Sequence, residues 1–140
     1  MGTNQNDIII GTDAAEVLTG GQGKDRLTGG VGPDAFIFET PNEFGKKSAD
    51  VITDCNPDEG DKIVISSDAF GGVTKIKFTT VTGKKEAKQA GKSKSNFIYD
   101  DKKGMLYYDA NGKKNNFGDG GEFAQLLGSP DISKSDFIVM

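Results

Sequence analysis

Apolar side chains return at every ninth position over the first 37 residues of the chain. Four successive blocks read GTNQNDIII, GTDAAEVLT, GGQGKDRLT and GGVGPDAFI. The eighth position of each block is apolar, and its occupants are Ile9, Leu18, Leu27 and Phe36. In a run such as Arg26-Leu27-Thr28, polar residues flank the apolar one, which is typical of a very short strand with one side chain facing inward. Each block is therefore predicted to form a turn followed by a short strand.

A glycine opens each block, and an acid occupies its sixth position. These acids are Asp7, Glu16, Asp25 and Asp34. Glycine permits positive φ and close backbone approach, so each block begins with a tight turn whose carbonyl oxygens join the acid around one spot. Because one block cannot bury its apolar side chain alone, two blocks are predicted to form each coil, with parallel strands on two faces. Asp7 then lies over Asp25 along one edge, and Glu16 lies over Asp34 along the other.

The stacked acids predict the ion that this fold binds. Neighbouring carboxylates repel and raise one another's pKa, so a column without a cation opposes its own folding. Calcium accepts about six to eight oxygen ligands in flexible geometry, whereas magnesium requires a stricter octahedron. Zinc and copper prefer nitrogen and sulfur, and this chain has no histidine and one cysteine. The predicted cofactor is Ca2+, bound as several ions.

The blocks resemble the RTX (repeats-in-toxin) nonapeptide, G-G-x-G-x-D-x-U-x, a calcium-binding repeat. Residues 20–28 and 29–37 match every fixed position, whereas residues 2–10 and 11–19 are degenerate. Either Glu16 or Asp13 is a ligand in the second block, and the sequence leaves both open. The predicted metal-site residues of the repeats and their continuation are Asp7, Glu16, Gly20, Gly21, Gly23, Asp25, Gly29, Gly30, Gly32, Asp34, Asp50 and Asp61.

Two later segments resemble those that close many RTX domains. They read DVITDCNP from Asp50 and GDKIVIS from Gly60, where the family has D-x-I-x-D-F-N-P and D-K-I-D-L-S. Both keep the acid-x-apolar order of the repeats, so they are predicted to be degenerate fifth and sixth blocks. Asp50 should extend the Asp7/Asp25 edge, and Asp61 the Glu16/Asp34 edge. Cys55 stands where the family has Phe and is predicted to be a small buried residue.

The last third of the chain predicts further β structure. Residues 97–100 and 106–109 alternate apolar and polar positions around Asp101-Lys102-Lys103-Gly104, which indicates a hairpin. The closing residues 132–140 resemble the end of RTX domains, where an acid followed by apolar residues belongs to the type I secretion signal. The fold predicted is all-β: a short parallel β-roll over residues 1–65, capped by a mostly antiparallel β region over residues 66–140, in one compact unit.

Several other patterns have competing interpretations. The lysine-rich run 84–94 is broken by a glycine and has no apolar face, so a mobile solvated loop is favoured over a site for anionic polymers or lipids. Aromatic residues 97, 99, 107 and 108 are expected to cover a core, although a sugar-stacking surface is the alternative. Residues 109–120 lack two EF-hand ligands. The acid pairs Asp50/Asp54 and Asp58/Asp61 could serve a glycosidase, but nothing else indicates a substrate cleft.

Composition narrows the class of protein. The net charge of −4 argues against nucleic acid as a partner, and no apolar run is long enough to cross a membrane. Residues 1–5 do not resemble a secretory signal, so a signal for export is expected elsewhere. With 34% hydrophobic residues the core should be thin. The function predicted is calcium binding with calcium-dependent folding of a secreted, non-enzymatic module, whose partners are calcium ions and the type I secretion machinery. The alternative is recognition of extracellular polysaccharide with structural calcium.

Overall fold

The computed structural model describes residues 1–39, 44–90, 94–111, 117 and 120–140. Within these residues the chain forms eleven short strands and one α-helix. The elements are β1 (Ile8–Ile10), β2 (Val17–Thr19), β3 (Arg26–Thr28), β4 (Ala35–Phe38), β5 (Asp50–Ile52), β6 (Lys62–Ile65), β7 (Phe78–Val81), α1 (Lys84–Ala90), β8 (Phe97–Asp100), β9 (Met105–Tyr108), β10 (Gly121–Leu126) and β11 (Phe137–Val139). The all-β class predicted from the sequence is confirmed.

The first six strands alternate between two sheets. One sheet has the order β1-β3-β5-β10-β9-β8-β7, and the other has the order β11-β6-β4-β2. The pairs within the repeats are all parallel, with Ile8 opposite Arg26 in one sheet and Val17 opposite Ala35 in the other. Each coil therefore contributes one strand to each sheet, and the result is a β-roll-like fold with largely parallel sheets.

The core of the repeats is a column of eighth-position side chains between the two sheets. Leu27 and Phe36 are fully buried, and Leu18 is nearly so. Ile52 and Ile63 continue the columns with 0% exposure, which confirms that the segments around Asp50 and Asp61 continue the repeat pattern. The seventh-position side chains of the first three blocks face outward, because successive residues of a strand alternate between faces; they are Ile8, Val17 and Arg26.

Strands from the last third extend both sheets. Strands β8 and β9 form the predicted antiparallel hairpin, and β9 also pairs antiparallel with β10. Strand β7 joins β8 in parallel. In addition, β10 pairs with β5 and β11 pairs with β6, both in parallel, so the C-terminal strands continue the two sheets of the repeats. The division of the chain at residue 65 stays a prediction.

Aromatic side chains fill the space beneath the C-terminal strands. Phe97, Tyr99, Tyr107 and Tyr108 are each at most 7% exposed, which confirms their interpretation as core residues. The Tyr99 hydroxyl donates to the Pro130 carbonyl (2.8 Å), and the Tyr108 hydroxyl donates to the Phe70 carbonyl (3.0 Å). These tyrosines therefore offer no exposed surface on which a sugar ring could stack.

The prediction that Cys55 is buried is confirmed, and the prediction of a solvated loop for the lysine-rich run is wrong. Cys55 is buried, and burial raises the pKa of its thiol to about 12, so the group stays protonated. Residues 84–90, predicted to lie in a solvated loop, instead form helix α1. Lys, Glu, Gln and Ala are all good helix formers, and fully buried Ala87 packs in a cluster with Ile98 and Tyr107.

Two sequence interpretations reach beyond the described residues. Positions 91–93 of the lysine-rich run lie outside them, as do residues 112–116 and 118–119 of the segment compared with an EF-hand. No helix within the described part of the chain is long and apolar enough to cross a membrane.

Candidate metal centre

The strand register brings the predicted acids together in two columns. Arg26 lies opposite both Ile8 and Val51, and Ala35 lies opposite both Val17 and Lys62. The residue before each of these positions is an acid. The first column is therefore Asp7, Asp25 and Asp50, and the second column is Glu16, Asp34 and Asp61. This is the stacking predicted from the sequence, and it is confirmed. Whether these residues bind a metal stays a prediction.

One hydrogen bond repeats along both columns. In each column, the backbone N–H of the first and of the second acid donates to the Oδ1 atom of the acid one coil further along the chain. The bonds join Asp7 to Asp25 (2.8 Å), Asp25 to Asp50 (2.9 Å), Glu16 to Asp34 (3.0 Å) and Asp34 to Asp61 (2.9 Å). The backbone of one coil thus fixes the orientation of the carboxylate in the next.

In the two complete repeats, the second carboxylate oxygen, Oδ2, of the column acid has no hydrogen-bond partner. Asp25 and Asp34 are each 1% exposed, and their Oδ2 atoms are buried without a hydrogen-bond partner. Such an orphaned charged atom is costly, because it has lost water and gained no donor. In each turn the opening glycine lies directly against this carboxylate, and a Cβ atom at Gly20 or Gly29 would overlap it. These two oxygens fit a cation ligand.

The donor set favours an ion that accepts backbone oxygens. Among the described residues, no three acid or thiol side chains converge closely enough to hold a metal by themselves. The acids of one column are spaced one coil apart, so an ion beside Asp25 or Asp34 would take most of its ligands from the carbonyl groups of the turns. Calcium accepts mixed carboxylate and carbonyl oxygens in flexible geometry, and zinc does not.

Glycine is required in the turns of the complete repeats. Gly21 and Gly30 have φ of +93° and +99°, which L side chains rarely adopt. The carbonyl oxygens of Thr3 and Thr12, one coil earlier, occupy the space that a Cβ atom would need at these two positions. The glycines thus let successive turns stack closely, which brings the carbonyl groups of neighbouring coils together.

The degenerate repeats satisfy their acids in another way. Thr3 donates to Asp7 Oδ2 through its N–H (2.5 Å) and its hydroxyl (2.9 Å). Thr12 donates its N–H to Glu16 Oε2 (2.7 Å) and its hydroxyl to Glu16 Oε1 (2.5 Å), and these bonds lower the pKa of Glu16. The second block thus places Glu16 in the column, whereas Asp13 is exposed. In the first coil, threonine supplies the donors that the orphaned oxygens of Asp25 and Asp34 lack.

Burial sets the electrostatics of the columns. It raises the pKa of Asp25, Asp34 and Asp61, and it raises the pKa of Asp50 to about 7. Repulsion from neighbouring acids adds to the increase, and the backbone hydrogen bonds oppose it. Stacked charges were expected to raise these pKa values, and the values are raised. Desolvation by burial is a larger cause than repulsion between the acids. Without a cation, the folded state therefore disfavours the ionised form of these acids.

Two contacts beside the columns were not predicted from the sequence. Asp54 accepts the N–H groups of Gly29 (2.9 Å) and Gly30 (2.8 Å). Beside the first column, the Lys24 ammonium donates to the Lys46 carbonyl (3.0 Å). The sequence signal for Asp54 was its place as the second acid of the segment DVITDCNP, and that pattern does not indicate which groups the acid contacts.

Comparison with known families supports the repeat pattern. Residues 1–35 match the family model of the RTX calcium-binding nonapeptide repeat, in four copies. No curated protein gives a significant match to the chain. The N-terminal part of the chain therefore carries RTX-type repeats, a family whose repeats bind calcium. The matched span includes four of the six column acids, and Asp50 and Asp61 lie beyond it.

Proposed function

We propose that this chain is a secreted calcium-binding module whose β-roll folds when calcium ions bind between successive turns. The observation that carries the proposal is the pair of buried, unpartnered oxygens at Asp25 and Asp34. A bound cation supplies the positive charge that these oxygens lack. The function proposed is binding, since the described residues offer oxygen ligands along both columns.

The ligands proposed for the ions come from the turns of the complete repeats. In the first column they are the Asp25 carboxylate and the backbone of Gly20, Gly21 and Gly23. In the second column they are the Asp34 carboxylate and the backbone of Gly29, Gly30 and Gly32. Asp7, Glu16, Asp50 and Asp61 complete the columns above and below, where they meet the turns of the neighbouring coils.

Calcium dependence follows from the balance between burial and charge. The strands of the repeats are only three or four residues long, and the acids between them are buried with raised pKa values. When the roll folds without metal, these acids either take up protons or are buried as charged groups. Both outcomes cost free energy. An ion that binds only the folded state stabilises it by RT ln(1 + [Ca2+]/Kd), so folding follows the calcium concentration.

Export is the part of the proposal that rests on family resemblance. The segment that resembles a type I secretion signal lies in the folded sheet, because β11 pairs with β6 and Asp136 is buried. The secretion machinery would meet this segment in an extended chain, before folding. Low intracellular calcium would keep the chain unfolded, and the higher calcium concentration outside the cell would fold it.

A calcium titration of the purified chain tests the proposal. Circular dichroism in calcium-depleted buffer should show little β structure, and added calcium should produce it with a sigmoidal dependence. Isothermal titration calorimetry should detect more than one ion. Magnesium at the same concentration is the control, and it should fail to fold the chain because it demands octahedral geometry. A spectrum that calcium does not change, together with no heat of binding, would rule the proposal out.

A further inference from the structure

Asp54 makes an unusual contact with the turn of the fourth block. It lies in the loop after β5, and each of its carboxylate oxygens accepts a different backbone N–H, from Gly29 at 2.9 Å and from Gly30 at 2.8 Å. A carboxylate that accepts two adjacent N–H groups holds both peptide planes in one orientation, and charge-assisted bonds of this kind are stronger than neutral ones.

The two peptide groups held by Asp54 carry the carbonyls of Thr28 and Gly29. In a trans peptide the C=O points opposite to the N–H, so both carbonyls face away from Asp54 and towards the preceding coil. The contacts agree with this direction. The Thr28 carbonyl accepts the Gly11 N–H (2.7 Å), and the Gly29 carbonyl lies against the α-carbon of Gly11. Asp54 thus lies on one side of the turn, and the carbonyl oxygens of Thr28 and Gly29 point to the other side.

The first column lacks an equivalent contact. Within the described residues, no carboxylate accepts the N–H groups of Gly20 and Gly21, the positions that correspond to Gly29 and Gly30. In that turn the Thr19 carbonyl accepts the Gly2 N–H (2.7 Å), as the Thr28 carbonyl accepts that of Gly11, but no carboxylate of the described residues holds the turn from the other side. Removing the Asp54 carboxylate should therefore affect the turn of the second column and leave the first column unchanged.

We propose that Asp54 is a positioning residue for the calcium site of the second column, which orients the Thr28 and Gly29 carbonyls beside Asp34 without ligating the ion. This inference rests on the proposed calcium-binding function. Both oxygens of Asp54 already accept N–H groups, whereas Asp34 Oδ2 has no partner, so the two carboxylates divide the roles of orienting and ligating. Outer contacts of this type typically change metal affinity by about 10- to 100-fold.

The test compares D54N with D58N in the full chain. Asparagine keeps the size of the side chain but loses the charge and one acceptor, whereas Asp58 is exposed and lies four residues further along the chain. Calorimetric titration of D54N with calcium should give the wild-type number of ions, with one ion weakened by about 10- to 100-fold and the others unchanged. D58N should bind calcium as the wild type does. Loss of a whole ion from D54N would make Asp54 a ligand, and unchanged affinity would remove its role; either result overturns the proposal.

A measurement on the wild type does not depend on how the variant folds. Nuclear magnetic resonance of the calcium-loaded chain should show through-hydrogen-bond couplings between the Gly29 and Gly30 nitrogens and the Asp54 carboxyl carbon. Absence of both couplings overturns the positioning role while calcium binding itself stands. A wild type that binds no calcium instead overturns the proposed function, so the two failures are distinguishable.

Discussion

Two carboxylate oxygens distinguish the complete repeats from the degenerate ones. Asp25 Oδ2 and Asp34 Oδ2 are buried without a donor, whereas Asp7 and Glu16 receive two hydrogen bonds each from threonine. The difference lies at the second position of the block. Threonine donates both its N–H and its hydroxyl to the acid, whereas Gly21 and Gly30, at φ of +93° and +99°, have no hydroxyl, and the Gly30 N–H bonds to Asp54 instead. The acid of a degenerate block is thus satisfied by its own turn, and the acid of a complete block is not.

Asp34→Asn should act in opposite directions with and without calcium. The amide keeps an oxygen that can accept the Glu16 N–H, so the ladder persists, but the buried charge is gone. Because burial raises the pKa of Asp34, removing its charge should stabilise the calcium-free fold, by about 1 kcal/mol. Calcium binding in the second column should weaken by more than about 10-fold, since the ion loses its carboxylate ligand.

Calcium titrations of D34N followed by circular dichroism measure both effects. The β signal without calcium reports the stability of the calcium-free fold, and the midpoint of the titration reports calcium binding. The exposed variant D58N is the matched control, and it should follow the wild type throughout. A D34N chain that is less stable than the wild type without calcium would contradict the prediction, because Asp34 would then contribute as a favourable hydrogen-bonding group rather than as an uncompensated charge.

Among the secondary-structure elements, those with a repeated or alternating local pattern were predicted from the sequence. Strands β1 to β6 follow from a glycine, an acid and an apolar residue held in register, and the β8/β9 hairpin follows from alternation around a turn. The parallel pairings of β10 with β5 and of β11 with β6 join segments about 70 residues apart, and no local pattern records such a partner. Helix α1 was missed because its apolar contacts are two alanines, Ala87 and Ala90, which are too small to produce a periodic signal.

Strand β11 offers a test of how the C-terminal segment contributes to stability. Phe137 is 7% exposed, and its ring lies 5.1 Å from Phe78 and 5.8 Å from Phe97 between centroids. Phe137→Ala should lower the free energy of unfolding by about 3 kcal/mol, as expected when a buried aromatic ring is removed. The next residue, Ile138, is 46% exposed, so Ile138→Ala should cost far less.

The measurement for both β11 variants is urea unfolding in saturating calcium. The ratio of the two effects is the informative result, because the substitutions are adjacent and alter the same strand. Equal losses would indicate that β11 is held only by its backbone pairing with β6, and that the Phe137 ring adds nothing to the core.

At the scale of the whole molecule, the acids couple folding to both protons and calcium. The pKa of Asp50 is raised to about 7, and those of Asp25, Asp34 and Asp61 are raised as well. Between the carboxyl pKa of the unfolded chain, about 4, and that of the folded chain, the folded state holds more protons. Raising the pH through this window removes those protons, so it should destabilise the calcium-free fold.

Calcium should abolish this dependence. Bound ions hold the carboxylates ionised, and the carboxylates of the unfolded chain are already ionised above about pH 5, so folding in saturating calcium takes up few protons. Circular dichroism of the folded fraction at a series of pH values, in calcium-depleted and calcium-saturated buffers, tests both expectations. The D50N variant should flatten the calcium-free profile near pH 7, because the group with the highest raised value no longer titrates. Calcium-free stability that increased from pH 5 to 7 would show instead that the acids are stabilised as anions by the metal-free fold, and the cation would then not be needed to hold the columns together.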